Sequence, residues 1–243
     1  MSKLQPLKQF MVTTWIPIRI GSLDLSLTNS AAFMLLAVAL ILVGMFLGLR
    51  RPQIIPTPWQ AIAEYPLAAI ETMVKETNGP EGRPFVGLLA SVFLFIFMGN
   101  LLGLFPFAFT FTSQLIVNFT LAFALLAVMT VYGLVQHGWA FLRLFMPKGI
   151  PWWIAPILVP VELISYLSRP ISLSIRLFSN MVAGHSMLKI FAFFTGSMGI
   201  FGGLLPLGVN VGLMGFELFV AFLQAYVFTL LTCIYINDAL HVH

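Results

Sequence analysis

Apolar positions in this chain come in long unbroken blocks, not in the alternating or one-sided patterns of a water-soluble fold. Residues 30–49 carry no charge and end at Arg50, Arg51 and Pro52. That is about the 20 residues a helix needs to cross a bilayer. Residues 84–142 again contain no Asp, Glu, Lys or Arg. This is too long for one crossing, and the stretch around Pro106 and 110–114 divides it into predicted spans at 84–105 and 114–136, with Asn100 and Asn118 as polar points. Two longer apolar segments, 156–195 and 206–240, are joined by a Gly-rich turn. Each exceeds a perpendicular crossing, so the pair is expected to form a long, tilted hairpin. Pro170 is expected to kink its first arm.

Residues 58–77 differ in kind, mixing Glu64, Glu71, Lys75 and Glu76 with Ile62, Leu67, Ile70 and Val74. The pattern predicts an amphipathic helix, broken at Pro66, that lies on the membrane surface or packs on other subunits. Asn78, Gly79, Pro80, Glu81 and Gly82 read as a turn. Residues 1–28 read as an irregular or interfacial lead-in, with Thr28 or Asn29 capping the first span. The fold class expected is an all-α membrane protein, one membrane domain over residues 1–243, with about five transmembrane helices and one interfacial helix.

Composition supports the membrane assignment: 60% of residues are hydrophobic and 8% charged, against roughly 25% charged in soluble domains. The net charge of +4 is too small to point to nucleic acid. Loop cations instead set orientation. Arg50, Arg51, Lys75, Arg83, Arg143 and Lys148 fall in the loops at 50–83 and 138–153, and none fall in those at 106–113 and 195–208. The first two loops therefore face the cytoplasm or matrix, with the N-terminus outside. Lys3, Lys8 and Arg19 pull weakly the other way. The single cysteine, Cys233, allows no disulfide framework and no cysteine-based metal site. No metal or cofactor is expected, and residues 1–20 lack the apolar core of a cleavable signal.

Against this background a few polar residues stand out. Arg176 sits mid-way along an apolar helix, where a charge costs at least ~2.5–3.5 kcal/mol and marks a functional site by default. With about 100° per residue, Glu162, Ser165, Arg169, Ser172 and Asn180 all fall within about 40° of Arg176, while His185 falls on the far side. On the last segment Asn210, Glu217 and Gln224 recur every seven residues, and Asp238 follows near the same face. Helix-to-helix polar contacts alone could explain Asn210 and Gln224. They explain Glu217 less well, since residues 190–216 and 218–237 carry no charge. Folding the two arms about residue 201 sets His185 opposite Glu217, each 16 residues from the turn. It also brings Arg176 near Gln224 and Tyr226, and Glu162 near Asp238. Three polar layers result, with a fixed positive charge between two titratable ones.

Residues 172–185, SLSIRLFSNMVAGH, closely resemble the signature of subunit a of the rotary F-type ATP synthase, called subunit 6 in mitochondria. The resemblance extends from TNSAAFMLL through NLLGLFPF to LQAYVFTLL. It implies a proton-translocating stator with no catalytic site of its own. Its partners would be a ring of c subunits, each with one mid-membrane carboxylate, the peripheral-stalk subunit b, other membrane subunits and lipids. Two offset half-channels would meet at the ring, separated by Arg176. Asn180, Gln224 and Glu162 match the family pattern. The best-known bacterial members carry a carboxylate where His185 stands and a histidine near Glu217. The exchange seen here resembles mitochondrial members and related bacteria, which places the chain in a mitochondrial inner or a bacterial plasma membrane. Two other classes fit a polytopic chain: a haem-binding redox subunit, which needs paired intramembrane histidines, and a substrate permease, which usually shows an internal repeat.

Overall fold

The computed structural model describes residues 10–17, 19–20, 23–24, 26–50, 52–105, 108–139, 141 and 153–240. Among the described residues six helices carry the fold: α1 (Asn29–Leu49), α2 (Pro58–Asn78), α3 (Val86–Gly103), α4 (Leu115–His137), α5 (Ala155–Ser197) and, after the four-residue turn α6 (Gly199–Gly202), α7 (Leu204–Leu240). Five segments among the described residues are long and apolar enough to cross a membrane: Asn29–Leu49, Pro58–Gly103, Leu115–His137, Ala155–Ser197 and Leu204–Leu240. The protein is thus an all-α membrane protein. Pro106, Arg51, Arg143, Lys148, Lys3 and Lys8 lie outside the described residues.

Two compact units can be distinguished. The first comprises residues up to Leu47, Leu94–Leu115 and Leu177–Ala225; the second comprises Gly48–Phe93, Ile116–Arg176 and residues from Tyr226 onward. In the first, the lead-in is not irregular as expected. Strands β1 (Thr14–Ile16) and β4 (Leu27–Thr28) pair antiparallel, as do β2 (Arg19–Ile20) and β3 (Leu23–Asp24). The side chain of Asn29 fixes the return, accepting from Thr13 N at 3.1 Å and donating to Met11 O at 3.1 Å. Thr28 Oγ1 accepts from Ala31 N at 3.2 Å and caps α1. Helix α1 leaves Leu35, Leu42, Val43, Phe46 and Leu47 exposed, as a lipid-facing span does. Phe111 packs on Phe95 with ring centroids 5.1 Å apart, and a side chain at Gly99 would strike the Phe111 ring.

In the second unit, α2 runs unbroken through Pro66, contrary to expectation. Proline frees the carbonyl four residues back, that of Ile62, on a residue that is 66% exposed, so the lost bond falls on an outer face. Thr57 caps α2, with Pro58 at its first position, and Gly79 ends it at φ 62°, donating its N–H to Lys75 O. Ile70, Met73 and Val74 of α2 are buried, as are Leu89 and Phe93 of α3, Leu126 and Met129 of α4, and Phe228 and Ile236 of α7. His137 closes α4 and approaches Leu240 O at 3.1 Å through Nε2.

Candidate functional site

In the first unit, α5 supplies His185 and α7 supplies Glu217. His185 Nδ1 lies 3.4 Å from Glu217 Oε1, and its Nε2 lies 3.1 Å from Thr110 Oγ1. All three residues are buried, with relative exposures of 8%, 4% and 5% for His185, Glu217 and Thr110. The result is a line of three exchangeable groups: hydroxyl, imidazole and carboxyl. The carboxyl–imidazole approach is at ion-pair distance and somewhat long for a hydrogen bond. Glu217 Oε2 is buried without a partner among the described residues. Two glycines make the room. A Cβ at Gly184 would sit 2.7 Å from Glu217 Oε1, and one at Gly103 would meet Thr110 and lie 3.1 Å from His185 Nε2.

A second polar contact joins the same two helices. Asn180 Nδ2 donates to Gln224 Oε1 at 3.1 Å. Asn100 of α3 donates to Ala221 O at 3.3 Å, one turn from Glu217. Asn100 Oδ1, Asn210 Oδ1 and Gln224 Nε2 are buried with no protein partner among the described residues. Such orphaned atoms cost about 1–3 kcal/mol each unless water satisfies them.

The second unit holds the remaining candidates. Asp238 does not layer with Glu162 as expected: Arg169 Nη1 donates to Asp238 Oδ2 at 3.0 Å, and the Arg169 guanidinium lies 6.0 Å from the ring centroids of both Tyr166 and Tyr235. A carboxylate is drawn to a guanidinium and repelled by another carboxylate, so Asp238 pairs with Arg169, seven residues along α5 from Glu162. Glu162 itself is half-buried. Arg176, Ser172 and Tyr226 are exposed, and Arg176 has no ion pair among the described residues. Around it α5 exposes Ser165, Ser168, Ser172 and Ser179 beside Ile164, Ile171 and Ile175.

Sequence reasoning missed three participants. Thr110 lies in what reads as a plain turn between spans, with no signal in the sequence to single it out. Arg169 falls on the stripe of Arg176 but was assigned no partner. Lys189 stands one turn beyond His185 on α5 and is exposed.

The Gly184 contact gives a direct prediction. Gly184→Ala is expected to push the Glu217 carboxyl off the imidazole, at an overpacking cost of about 1–3 kcal/mol of stability. Adding Glu217→Asp, which withdraws the carboxyl by one methylene, is expected to recover part of the loss. Thermal stability of the two purified variants checks it; equal loss in both would show that Gly184 does not act through Glu217.

Five apolar spans among the described residues and few charges define a multi-pass membrane protein. Comparison with known proteins makes this specific. The chain belongs to the ATP synthase A chain family, whose model matches residues 31–237. It is 46% identical to ATP synthase subunit a of Mesorhizobium japonicum over 98% of this chain and 97% of that one. It is 44% identical to ATP synthase subunit a of Pelagibacter ubique, covering 98% of each. It is 47% identical to ATP synthase subunit a 1 of Brucella anthropi, covering 97% of each. Membership makes it a membrane-sector subunit of an F-type ATP synthase, with other subunits of that enzyme as partners. These bacterial relatives and the five spans fit a multi-pass plasma-membrane protein.

Proposed function

We propose that the chain, as a single membrane domain, is the proton-conducting stator of the membrane sector. Two half-channels deliver protons to and from the carboxylates of a rotating c-ring, and Arg176 separates them. The observation that carries this reading is the buried His185–Glu217 contact at 3.4 Å, in a chain of the ATP synthase A chain family. A proton entering from the outside is passed by His185 and Glu217, with Asn180, Asn210 and Gln224 lining the same outer path. The orphaned amide atoms of Asn210 and Gln224 support this, since buried polar atoms without protein partners take water. The proton neutralises a ring carboxylate, which can then turn through lipid, where the ionised form is too costly.

On arrival at Arg176 the carboxylate gives up its proton. Guanidinium stays charged at any physiological pH and pairs with the ionised form. The exposed serines beside Arg176 leave space for a ring helix to approach, and the exposed Tyr226 and Ser172 belong to that contact. The proton leaves along Glu162 and the Arg169–Asp238 pair. Each 100 mV supplies about 2.3 kcal/mol per charge. The peripheral-stalk subunit b and lipids cover the remaining outer faces. No nucleotide-binding motif such as GxxxxGK[ST] occurs in the sequence, so ATP chemistry is assigned to other subunits.

The inner path is tested at Glu162. In a Cys233→Ser background, Glu162→Cys is expected to react with a membrane-impermeant, thiolate-directed reagent added from the cytoplasmic side. Reaction from the outside alone would reverse the assigned orientation.

A further inference from the structure

We propose that Thr110 is a positioning residue of the proton-entry site: its hydroxyl holds the His185 ring by Nε2 and thereby aims Nδ1 at Glu217. The inference rests on the relay reading of that pair and adds the group that orients it. An imidazole carries its two nitrogens on different edges of a rigid ring, so fixing one fixes the direction of the other. Here Nε2 lies 3.1 Å from Thr110 Oγ1 while Nδ1 lies 3.4 Å from Glu217 Oε1. Thr110 is itself held. Its backbone O accepts from Ser113 N at 3.1 Å and from Ser113 Oγ at 2.6 Å. Its hydroxyl is thereby left for the ring.

No other hydrogen bond to the ring is seen among the described residues. Among the described residues, Glu217 faces it from α7, and the apolar Phe10 ring lies 6.4 Å away on the N-terminal segment. Lys189, one turn along α5, is a cation and cannot accept a hydrogen bond. Gly103 lies so close to Nε2 and Thr110 that any side chain there would displace both.

The step that Thr110 supports balances without a co-reactant. With Nε2–H donated to Thr110, the neutral ring presents the Nδ1 lone pair to Glu217. A protonated Glu217 passes its proton to Nδ1, giving carboxylate and imidazolium, and the reverse transfer restores both. In the imidazolium both N–H groups have acceptors, one carboxylate and one hydroxyl. Without the hydroxyl, the ring is free to turn about Cβ–Cγ, and Nδ1 swings away from Glu217.

The test uses the whole enzyme in inverted membrane vesicles and measures ATP-driven proton pumping against pH for Thr110→Val, Thr110→Ser and His185→Ala, with subunit content checked. Valine keeps the shape and removes the hydroxyl; it is expected to lower pumping several-fold and to displace the rate-against-pH curve along the pH axis. Serine is expected to restore both rate and curve. If Thr110→Val fails to assemble, Thr110→Ala against Thr110→Ser gives the same contrast. A slowed His185→Ala beside a Thr110→Val of ordinary rate and curve overturns the inference alone. So does a slowed Thr110→Val whose curve is not displaced, since that marks a packing role. Ordinary pumping in His185→Ala overturns the relay reading, and this inference with it.

Discussion

Replacing Arg176 by alanine is expected to abolish proton-driven ATP synthesis in vesicles while the subunit still reaches the membrane and assembles. Arg176 is exposed on a helix face of serines and isoleucines and has no ion pair among the described residues. A cation in that setting holds little of this subunit's own structure together, so its removal leaves the fold intact. On the proposed reading, what it loses is the partner for a ring carboxylate. Uncompensating such a charge costs about 3–5 kcal/mol in protein interiors, and each ~1.4 kcal/mol is a factor of ten in rate. The expected slowing is therefore on the order of a hundredfold or more. Lysine is expected to fail largely as well, because an ammonium is a compact, strongly hydrated point charge that lacks the planar fork of the guanidinium. Synthesis rates and subunit content, measured on the same vesicles, check both variants. A normal rate in the alanine variant would remove Arg176 from the proton path.

Much of the fold was legible because lipid imposes a simple rule on sequence: backbone polar groups must be satisfied within each span, so a long apolar block reads as a helix. The charge-free run at 30–49 and the two long arms about the Gly-rich turn are of this kind. Where water or protein is the neighbour, the rule weakens. Pro66 reads as a break, yet the carbonyl it frees belongs to an exposed residue, and α2 continues. The short strands from Thr14 to Thr28 depend on side-chain bonds from Asn29 across some sixteen residues, which no periodicity announces. The site divides in the same way. Helical spacing and the position of the turn sufficed to set His185 opposite Glu217. They did not suffice for Asp238, because a nearby guanidinium on the same stripe competes for the carboxylate, and register alone cannot rank the two. Thr110 was out of reach for another reason: a loop side chain has no period, and its place beside His185 follows from tertiary packing.

His185→Ala and Glu217→Ala are each expected to slow proton entry, and the double variant is expected to be little worse than the poorer single one. The two side chains approach within 3.4 Å and are both buried. Groups in contact typically couple by about 0.5–3 kcal/mol, whereas distant sites add. If they form one relay, removing either breaks the same step, and the second removal finds little left to lose. The exchange His185→Glu with Glu217→His puts the same two chemical groups into the same enclosure and is expected to recover part of the activity. The room that Gly184 and Gly103 leave is shaped to the native order of the two side chains, so recovery is expected to be partial. The decisive measurement is proton flux into vesicles at fixed membrane potential for the wild type, both single variants, the double variant and the exchange. One shared relay predicts strongly non-additive losses with recovery in the exchange; losses that add in free energy, with no recovery, would show that His185 and Glu217 act in separate places.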